Sequence, residues 1–401
     1  MITSQIPQII EKQYKIIKKI SSGGSVGKIL IVKDKAGNNR ILKYAEWEGI
    51  GYNGIPWTEM QAKRLVTLRK VVSQKAKKLL PVIYVTHKEK KLFYFVSEYY
   101  DKSVPLSIYY LSYEGEIIKP LLKDINNVLS NLSNYFYSLG KIKAPKNYLK
   151  RNYFGRIDYK LELLKQQKGE IYERYFKNKK FTIDEHTYTD ISLFFEDLLK
   201  RNKVIINGKE FINATILLAR IKKNSPELMP GFLPKYTHGD LLLRNVLKLP
   251  DGKTVFIDVR GVPLPNNYPS RVCIPYELGK ILHSIEMEII RTNNFKMAAF
   301  IKNKNLEFQL FYNLENKNID AFLKIRQKLP SIFSRNKDLQ LNLKEEKKWL
   351  EQAYLLEALH FLSDVVNRLE QDKTGYHSIA YYLIGTRLLN TFYRRNRHLF
   401  S

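Results

Sequence analysis

The stretch Tyr236 to Gly261, reading YTHGDLLLRNVLKLPDGKTVFIDVRG, constrains this chain more than any other. His238-Gly239-Asp240 opens it, Asn245 follows five residues after the aspartate, and an apolar segment runs to Asp258. Leu247 to Leu249 and Thr254 to Asp258 read as two strands. Pro250-Asp251-Gly252-Lys253 joins them, a turn with glycine where positive φ is expected. Such a hairpin brings Asn245 and Asp258 to the same end of a sheet. The spacing suits one chemistry. Asp240, in a tight loop, is the candidate base that accepts the proton of a substrate hydroxyl. Asn245 and Asp258 are the candidate ligands of Mg²⁺, a hard cation that takes oxygen ligands and completes its octahedron with substrate phosphates. HGD alone fits a solvated loop, and DVRG alone an ordinary strand end. Their order about a hairpin of this length carries the reading.

The segment resembles the catalytic and metal-binding loops of the aminoglycoside phosphotransferase and choline kinase group, the small-molecule branch of the protein-kinase-like fold. The Arg260-Gly261 ending resembles its sugar-kinase-like members. The resemblance implies ATP- or GTP-dependent phosphoryl transfer to a hydroxyl. It also implies an α+β, two-lobed protein-kinase-like fold: a small antiparallel β-sheet amino-terminal lobe over 1–100 and a large, mainly helical carboxy-terminal lobe over 101–401. The catalytic loop, 236–261, falls within the second lobe in this division, together with the acceptor-binding helices.

At 401 residues the chain has length for about two domains. Its 68 Lys+Arg against 39 Asp+Glu leave a formal charge of +29. That balance favours anionic partners: nucleotide, an anionic metabolite, nucleic acid or an anionic surface. A lysine-rich composition alone accounts for it equally well. Cys273 is the single cysteine, which excludes an intramolecular disulfide and a cysteine-rich zinc cluster and fits a reducing, cytoplasmic setting. Met1 to Ile10 shows no secretory signal, and no apolar run approaches a transmembrane segment.

In the amino-terminal part, Tyr14 to Ile20 and Lys28 to Val32 alternate as strands around Ser21-Ser22-Gly23-Gly24-Ser25-Val26-Gly27. Backbone N–H groups of such a flap approach phosphates, which makes Gly23, Gly24 and Gly27 cofactor-binding candidates. The loop is neither a Walker A sequence nor a full G-x-G-x-x-G. Arg40 to Ala45 reads as a third strand, and Lys43 resembles the strand lysine that reaches the α- and β-phosphates. Trp57 to Gln74 reads as a helix, with Glu59 the first candidate to pair with Lys43 and Glu46 and Glu48 its rivals. Leu79 to Thr86 and Leu92 to Tyr99 read as a hairpin. Ser97 to Asp101 resembles the hinge of the kinase-like fold, where the carbonyl of about Glu98 and the N–H of about Tyr100 would bind adenine.

From Pro105 the pattern is mainly helical. Ile118 to Leu139 carries an apolar stripe stopped by Gly140. Tyr148 to Gln167, His186 to Asn202, Glu210 to Lys223 and Lys344 to Gln371 read as further helices, and Asn207-Gly208 as a hairpin turn. Tyr276-Glu277-Leu278-Gly279-Lys280 resembles the family's stretch whose acid braces the catalytic loop, with Glu277 in place of Asp. Glu357, His360 and Asp364 share a helix face that an acceptor could meet, or form a solvated stripe. His238 is expected to brace its loop, and Arg244 and Arg260 to meet phosphate or nearby acids.

The leading expectation is a Mg²⁺- and ATP (or GTP)-dependent kinase acting on a small-molecule acceptor, a sugar or sugar derivative. The alternative is a protein kinase or kinase-like binding module with a protein or nucleic-acid partner. The polar machinery argues against a binding module, and the lack of an APE-like stretch after Asp258 against regulated protein phosphorylation. No RNA-binding motif accompanies the charge.

Overall fold

The computed structural model describes residues 6–20, 28–46, 54–169, 172–173, 176–184, 186–223, 228–262, 272–302, 305–369, 372 and 374–400. Gly23, Gly24, Gly27 and Glu48 lie outside these, as does most of the Val262–Arg271 segment. The chain divides into two units. One comprises Met1–Leu106, Tyr236–Asp240 and Asn245–Arg271; the other comprises Ser107–Lys235, Leu241–Arg244 and Val272–Ser401. The segment 236–261 therefore groups by contact with the amino-terminal sheet, apart from 241–244. Among the described residues no helix is long and apolar enough to cross a membrane.

The first unit is built on an antiparallel sheet of β1 (Lys15–Ile20), β2 (Lys28–Lys33), β3 (Asn39–Ala45), β4 (Ile83–Glu89) and β5 (Leu92–Glu98), in the order β1-β2-β3-β5-β4. β5 lies between two strands and is apolar at consecutive positions, so both its faces need cover. Leu92, Tyr94 and Val96 pack with Leu30, Val32, Leu42, Tyr44 and Ile10, the last from the short Gln8–Gln13 helix. Phe93 and Phe95 pack on the other face with Ala45 and with Ile55 and Ala62 of the Ile55–Val71 helix. Each such buried side chain contributes about 1.5–3 kcal/mol. That helix begins two residues before Trp57 because Gly54, at φ 94°, makes the turn and Pro56 starts it. The expected hairpin strand from Leu79 begins only at Ile83. The expected catalytic hairpin forms as Val246–Lys248 against Thr254–Phe256, with Gly252 at φ 82° in the turn. A third short strand, β6 (Val104–Pro105), pairs with Val246–Lys248.

The second unit is mainly helical, as expected, and also carries strands. Lys203–Ile206 and Lys209–Ile212 form the expected hairpin, with Asn207 and Gly208 both at positive φ. Its first strand pairs in parallel with Asn305–Tyr312, which pairs in turn with Phe295–Lys302. Four expected helices are shorter in the structure, among them Lys344–Gln371, which begins only at Trp349. Tyr148–Gln167 is a π turn followed by Gly155–Leu163. The early part of 186–202 is the strand His186–Tyr188, with the helix confined to Ile191–Lys200. Lys209–Ile212 is strand, so the next helix starts at Ala214. Ile118–Tyr135 ends near the Gly140 stop as expected. At the centre, the Ile274–Arg291 helix is buried at every position from Ile274 to Ile290, against the Trp349–Leu369 and Tyr376–Arg395 helices. A helix buried all round must pair its polar side chains internally.

Candidate active site

Two backbone segments, 237–239 and 260–261, are held against each other in the first unit. Thr237 donates its N–H to the Gly261 carbonyl at 3.0 Å, and the Arg260 and Gly261 N–H groups donate to the His238 carbonyl at 2.5 and 2.9 Å. The approach is so close that glycine is required on both sides. A Cβ on Gly239, at φ +81°, would stand 2.2 Å from the Gly261 nitrogen, and one on Gly261 would collide with Thr237. The glycines of the HGD and RG pairs are thus one structural feature, invisible in either pair alone.

This clasp brings the polar side chains together. Asp240 is 4% exposed and accepts from Asn245 Nδ2 at 3.2 Å and from Arg260 Nη1 at 3.0 Å. Asn245 Nδ2 also donates to the Asp240 carbonyl at 2.9 Å. Both its contacts hold the amide nitrogen toward Asp240, which leaves Oδ1 as the atom able to ligate a cation. The Ile257 N–H donates to the Asn245 carbonyl at 2.9 Å, fixing the base of the loop that carries Asp258. Asp258 itself lies at φ 55°, a region that costs a non-glycine residue about 1–2 kcal/mol and that concentrates at functional sites.

Lys43 reaches Asp258 across 215 positions of sequence. Its Nζ donates to Asp258 Oδ1 at 3.1 Å, with Lys43 only 3% exposed. Burial pushes the Asp258 carboxyl up, but Lys43 and Arg260 outweigh it and hold the group below its usual range. It is therefore an anion at neutral pH. The expected partner of Lys43 was Glu59, and the structure corrects this. Glu59 lies on the outer side of its helix and pairs with Lys63 at 2.6 Å and Lys88 at 2.7 Å. The buried face of that helix carries Trp57, Gln61 and Arg64 instead. Glu46, a rival for Lys43, pairs with Lys28.

His238 is fully buried. Desolvation lowers it to about 4 despite the neighbouring Asp240 carboxylate, so the imidazole is neutral. Its Nδ1 accepts the Asp240 N–H at 3.2 Å, and its ring stands edge-on to Phe256 at 5.8 Å. Arg260 lies 5.1 Å from the Trp57 ring centre, a cation–π contact. No motif or spacing pointed to this pairing. After β5, the Glu98 N–H donates to the Val82 carbonyl at 2.9 Å, and the Glu98 carboxylate accepts from Val82 N–H at 3.2 Å and Tyr100 hydroxyl at 2.9 Å. The side chains of both expected hinge residues thus fasten the strand end. Gly23, Gly24 and Gly27 lie outside the described residues.

The donor set fits Mg²⁺. Asn245 Oδ1 and the ionised Asp258 are hard oxygen ligands, and such sites use one or two protein ligands and leave the rest to water and phosphate. Among the described residues no group of three His, Cys, Asp or Glu could hold a metal.

In the second unit, Glu277 is fully buried and accepts from the Tyr137 hydroxyl at 2.5 Å. Glu357, His360 and Asp364 do share a face, but it is buried, not solvated: Glu357 receives a two-pronged contact from Arg326 at 2.9 and 2.8 Å. Arg244 does the same for Glu288 at 2.8 and 2.5 Å.

No protein-family model matches the chain, and no curated protein matches it. Among solved structures it is similar to a glucosamine kinase (crystal form B) at 9% identity, over 97% of this chain and 98% of that one, with a TM-score of 0.46. A glucosamine kinase in complex with glucosamine, ADP and inorganic phosphate is similar at 10% identity, over 95% and 96%, with a TM-score of 0.48.

Proposed function

We propose that the chain is a Mg²⁺- and ATP (or GTP)-dependent phosphotransferase of the protein-kinase-like fold that phosphorylates a hydroxyl of a small molecule, a sugar or sugar derivative. One observation carries the reading. A buried lysine, a buried aspartate–asparagine pair and a second, ionised aspartate on a strained loop meet within the amino-terminal unit, with the order and chemistry phosphoryl transfer needs. The sugar acceptor is drawn from the resemblance of Asp258-Val259-Arg260-Gly261 to sugar-kinase-like sequences.

In this reading Asp240 orients the acceptor hydroxyl and takes its proton. Asn245 and Asp258 would hold Mg²⁺, which would supply positive charge to offset that of the nucleotide phosphates. Lys43 exchanges Asp258 for phosphate oxygens when nucleotide arrives. Arg260 gives up Asp240 in the same way and stays poised over Trp57, where its charge meets the transferring group. His238 keeps the Asp240 loop in shape and remains neutral. The Glu98–Tyr100 segment offers main-chain groups to the base. Rate enhancement comes from in-line positioning and charge neutralisation.

The test is nucleotide consumption with Mg²⁺ over a panel of sugars, sugar phosphates, amino alcohols and aminoglycosides, with wild type and Asp240→Asn. Turnover on one acceptor, lost in the variant, is expected. No binding of Mg²⁺-nucleotide would overturn the proposal.

A further inference from the structure

Between the Lys203–Ile206/Lys209–Ile212 hairpin, the Asn305–Tyr312 strand and the Tyr376–Arg395 helix lies a cavity of about 210 Å³, formed entirely by residues of the second unit. Native interiors hold few voids larger than one water, whose share of the liquid is about 30 Å³. This one has room for a ring: an apolar cavity of about 150 Å³ takes up benzene. Ile206, Phe211 and Leu310 wall it on the sheet side, Leu383 and Ile384 on the helix side. All five are at most 8% exposed.

The walls are braced on both sides. Asn207, at φ 50°, turns its side chain onto the neighbouring strand: Nδ2 donates to the Leu310 carbonyl at 2.9 Å, and Oδ1 accepts the Leu310 N–H at 2.7 Å. Asn390 does the same from the helix, accepting the Ile212 N–H at 3.0 Å and donating to the Ile212 carbonyl at 2.8 Å. One amide fixes the hairpin to the sheet and the other fixes it to the helix. Collapse of the walls would pull against both pairs, whose loss leaves amide groups unsatisfied. Arg394 stands 5.7 Å from the Phe211 ring centre and steadies that wall.

The polar groups lie at the edges. Arg387 lines the cavity and makes both its hydrogen bonds to Glu286 from Nη2 alone, at 2.7 and 2.9 Å. Its side chain stays 35% accessible, so its other N–H groups can be reached. The Tyr312 hydroxyl is buried beside Arg387 and Glu286; burial first, then Glu286, raises it, so it remains a hydrogen-bond donor. Lys209 shares the inner face of the hairpin with Phe211 and Ile206. The nearby acids are already matched: Glu286 with Arg387, Glu357 with Arg326, and Glu210, on the outer face of the hairpin, with Lys203 at 2.7 Å. Among the described residues no carboxylate pairs with Lys209. The lining therefore carries one uncompensated positive charge.

We propose that this cavity is a binding site for a small monocarboxylate with an apolar, ring-sized body. The body fills the space between Phe211, Leu310 and Leu383. The carboxylate accepts from the Tyr312 hydroxyl and the Arg387 guanidinium, and Lys209 supplies the balancing charge. The site uses no residue of the proposed phosphotransfer machinery and does not rest on that reading.

The experiment is calorimetry on the full chain without nucleotide, at fixed ionic strength, with benzoate, benzyl alcohol and acetate as probes. Wild type binds benzoate about tenfold or more tighter than benzyl alcohol, which lacks the charge, and acetate, which lacks the ring. Leu310→Phe fills the cavity and weakens benzoate about tenfold or more. Its melting temperature without ligand does not fall, because the larger ring enters existing space. Lys209→Gln, at an exposed position, weakens benzoate about threefold and leaves benzyl alcohol unchanged. Benzoate raises the melting temperature of wild type and not that of Leu310→Phe. Equal affinity for the three probes, benzoate affinity that neither substitution lowers, or a lower melting temperature in ligand-free Leu310→Phe overturns the site. The readout involves no turnover, so an absence of kinase activity would count against the proposed function and leave this result in place.

Discussion

The candidate active site and the Arg326–Glu357, Arg387–Glu286 network are made from the same residue types and held in opposite ways. In the candidate active site Lys43 meets Asp258 at 3.1 Å and Arg260 meets Asp240 at 3.0 Å, beside a loop at positive φ and a glycine clasp. In the helical unit the guanidiniums grip their carboxylates with two contacts each, all between 2.7 and 2.9 Å. Single contacts can be traded for a ligand's charges at small cost. Two-pronged buried pairs cannot, since breaking one strands a charge away from water. The difference teaches where to look for function in a chain crowded with buried ions: at pairs that are loosely held and strained in backbone.

Four substitutions test that contrast, taken from the largest effect downward. Asp240→Asn should lower kcat by about 10²–10⁴-fold, the usual share of a positioned base, while Mg²⁺-nucleotide affinity measured by calorimetry stays close to wild type. An unchanged kcat would remove Asp240 from the chemistry. Arg326→Met should destabilise the chain by about 3–5 kcal/mol in a urea titration, because Glu357 is left buried and unpaired, and Arg326→Met with Glu357→Leu should recover most of it. If the single variant were neutral, the helical network would be no more locked than the active site.

The third concerns pH. His238 has a folded value of about 4 against an ordinary value of 6.5. A base whose folded value is lowered adds its full stability above 6.5. It loses that stability as pH falls from 6.5 to about 4, where the unfolded chain takes a proton that the folded one refuses. The loss is about 3 kcal/mol for this residue. In His238→Asn the stability–pH slope across that window should therefore be shallower by up to one proton. An unchanged slope would mean the imidazole is not held neutral. The smallest effect is expected at Glu59, whose partners Lys63 and Lys88 are largely exposed. Glu59→Gln should cost less than about 1 kcal/mol in the same titration and leave nucleotide affinity unaltered. A large loss of nucleotide affinity would restore Glu59 as the partner of Lys43.

The hairpin Val246–Lys248/Thr254–Phe256 was legible because a turn such as Pro250-Asp251-Gly252-Lys253 acts over four residues. For the same reason Asn207-Gly208 announced its hairpin. The parallel partner of that hairpin, Asn305–Tyr312, was not legible, since it lies far along the chain and its pattern says nothing of whom it joins. Glu59 was misread because helix spacing tells which residues share a face but not which face turns inward. The helix buries Trp57, Gln61 and Arg64 and leaves Glu59 to surface lysines. Likewise Glu357, His360 and Asp364 shared a face as their spacing required, and only packing decided that the face is buried.

By itself, then, the sequence determined the local order: His238-Gly239-Asp240, Asn245 and Asp258 around a two-stranded turn, set by short-range backbone preferences. Tertiary structure alone decided the pairings: Lys43 with Asp258, Arg260 with Asp240 and Trp57, Arg244 with Glu288, and Gly239 against Gly261. Turn and strand preferences act over a few residues and are written in the composition of those residues. Ion pairs and close backbone approaches depend on which groups lose water together, and that is fixed only when the whole chain has packed.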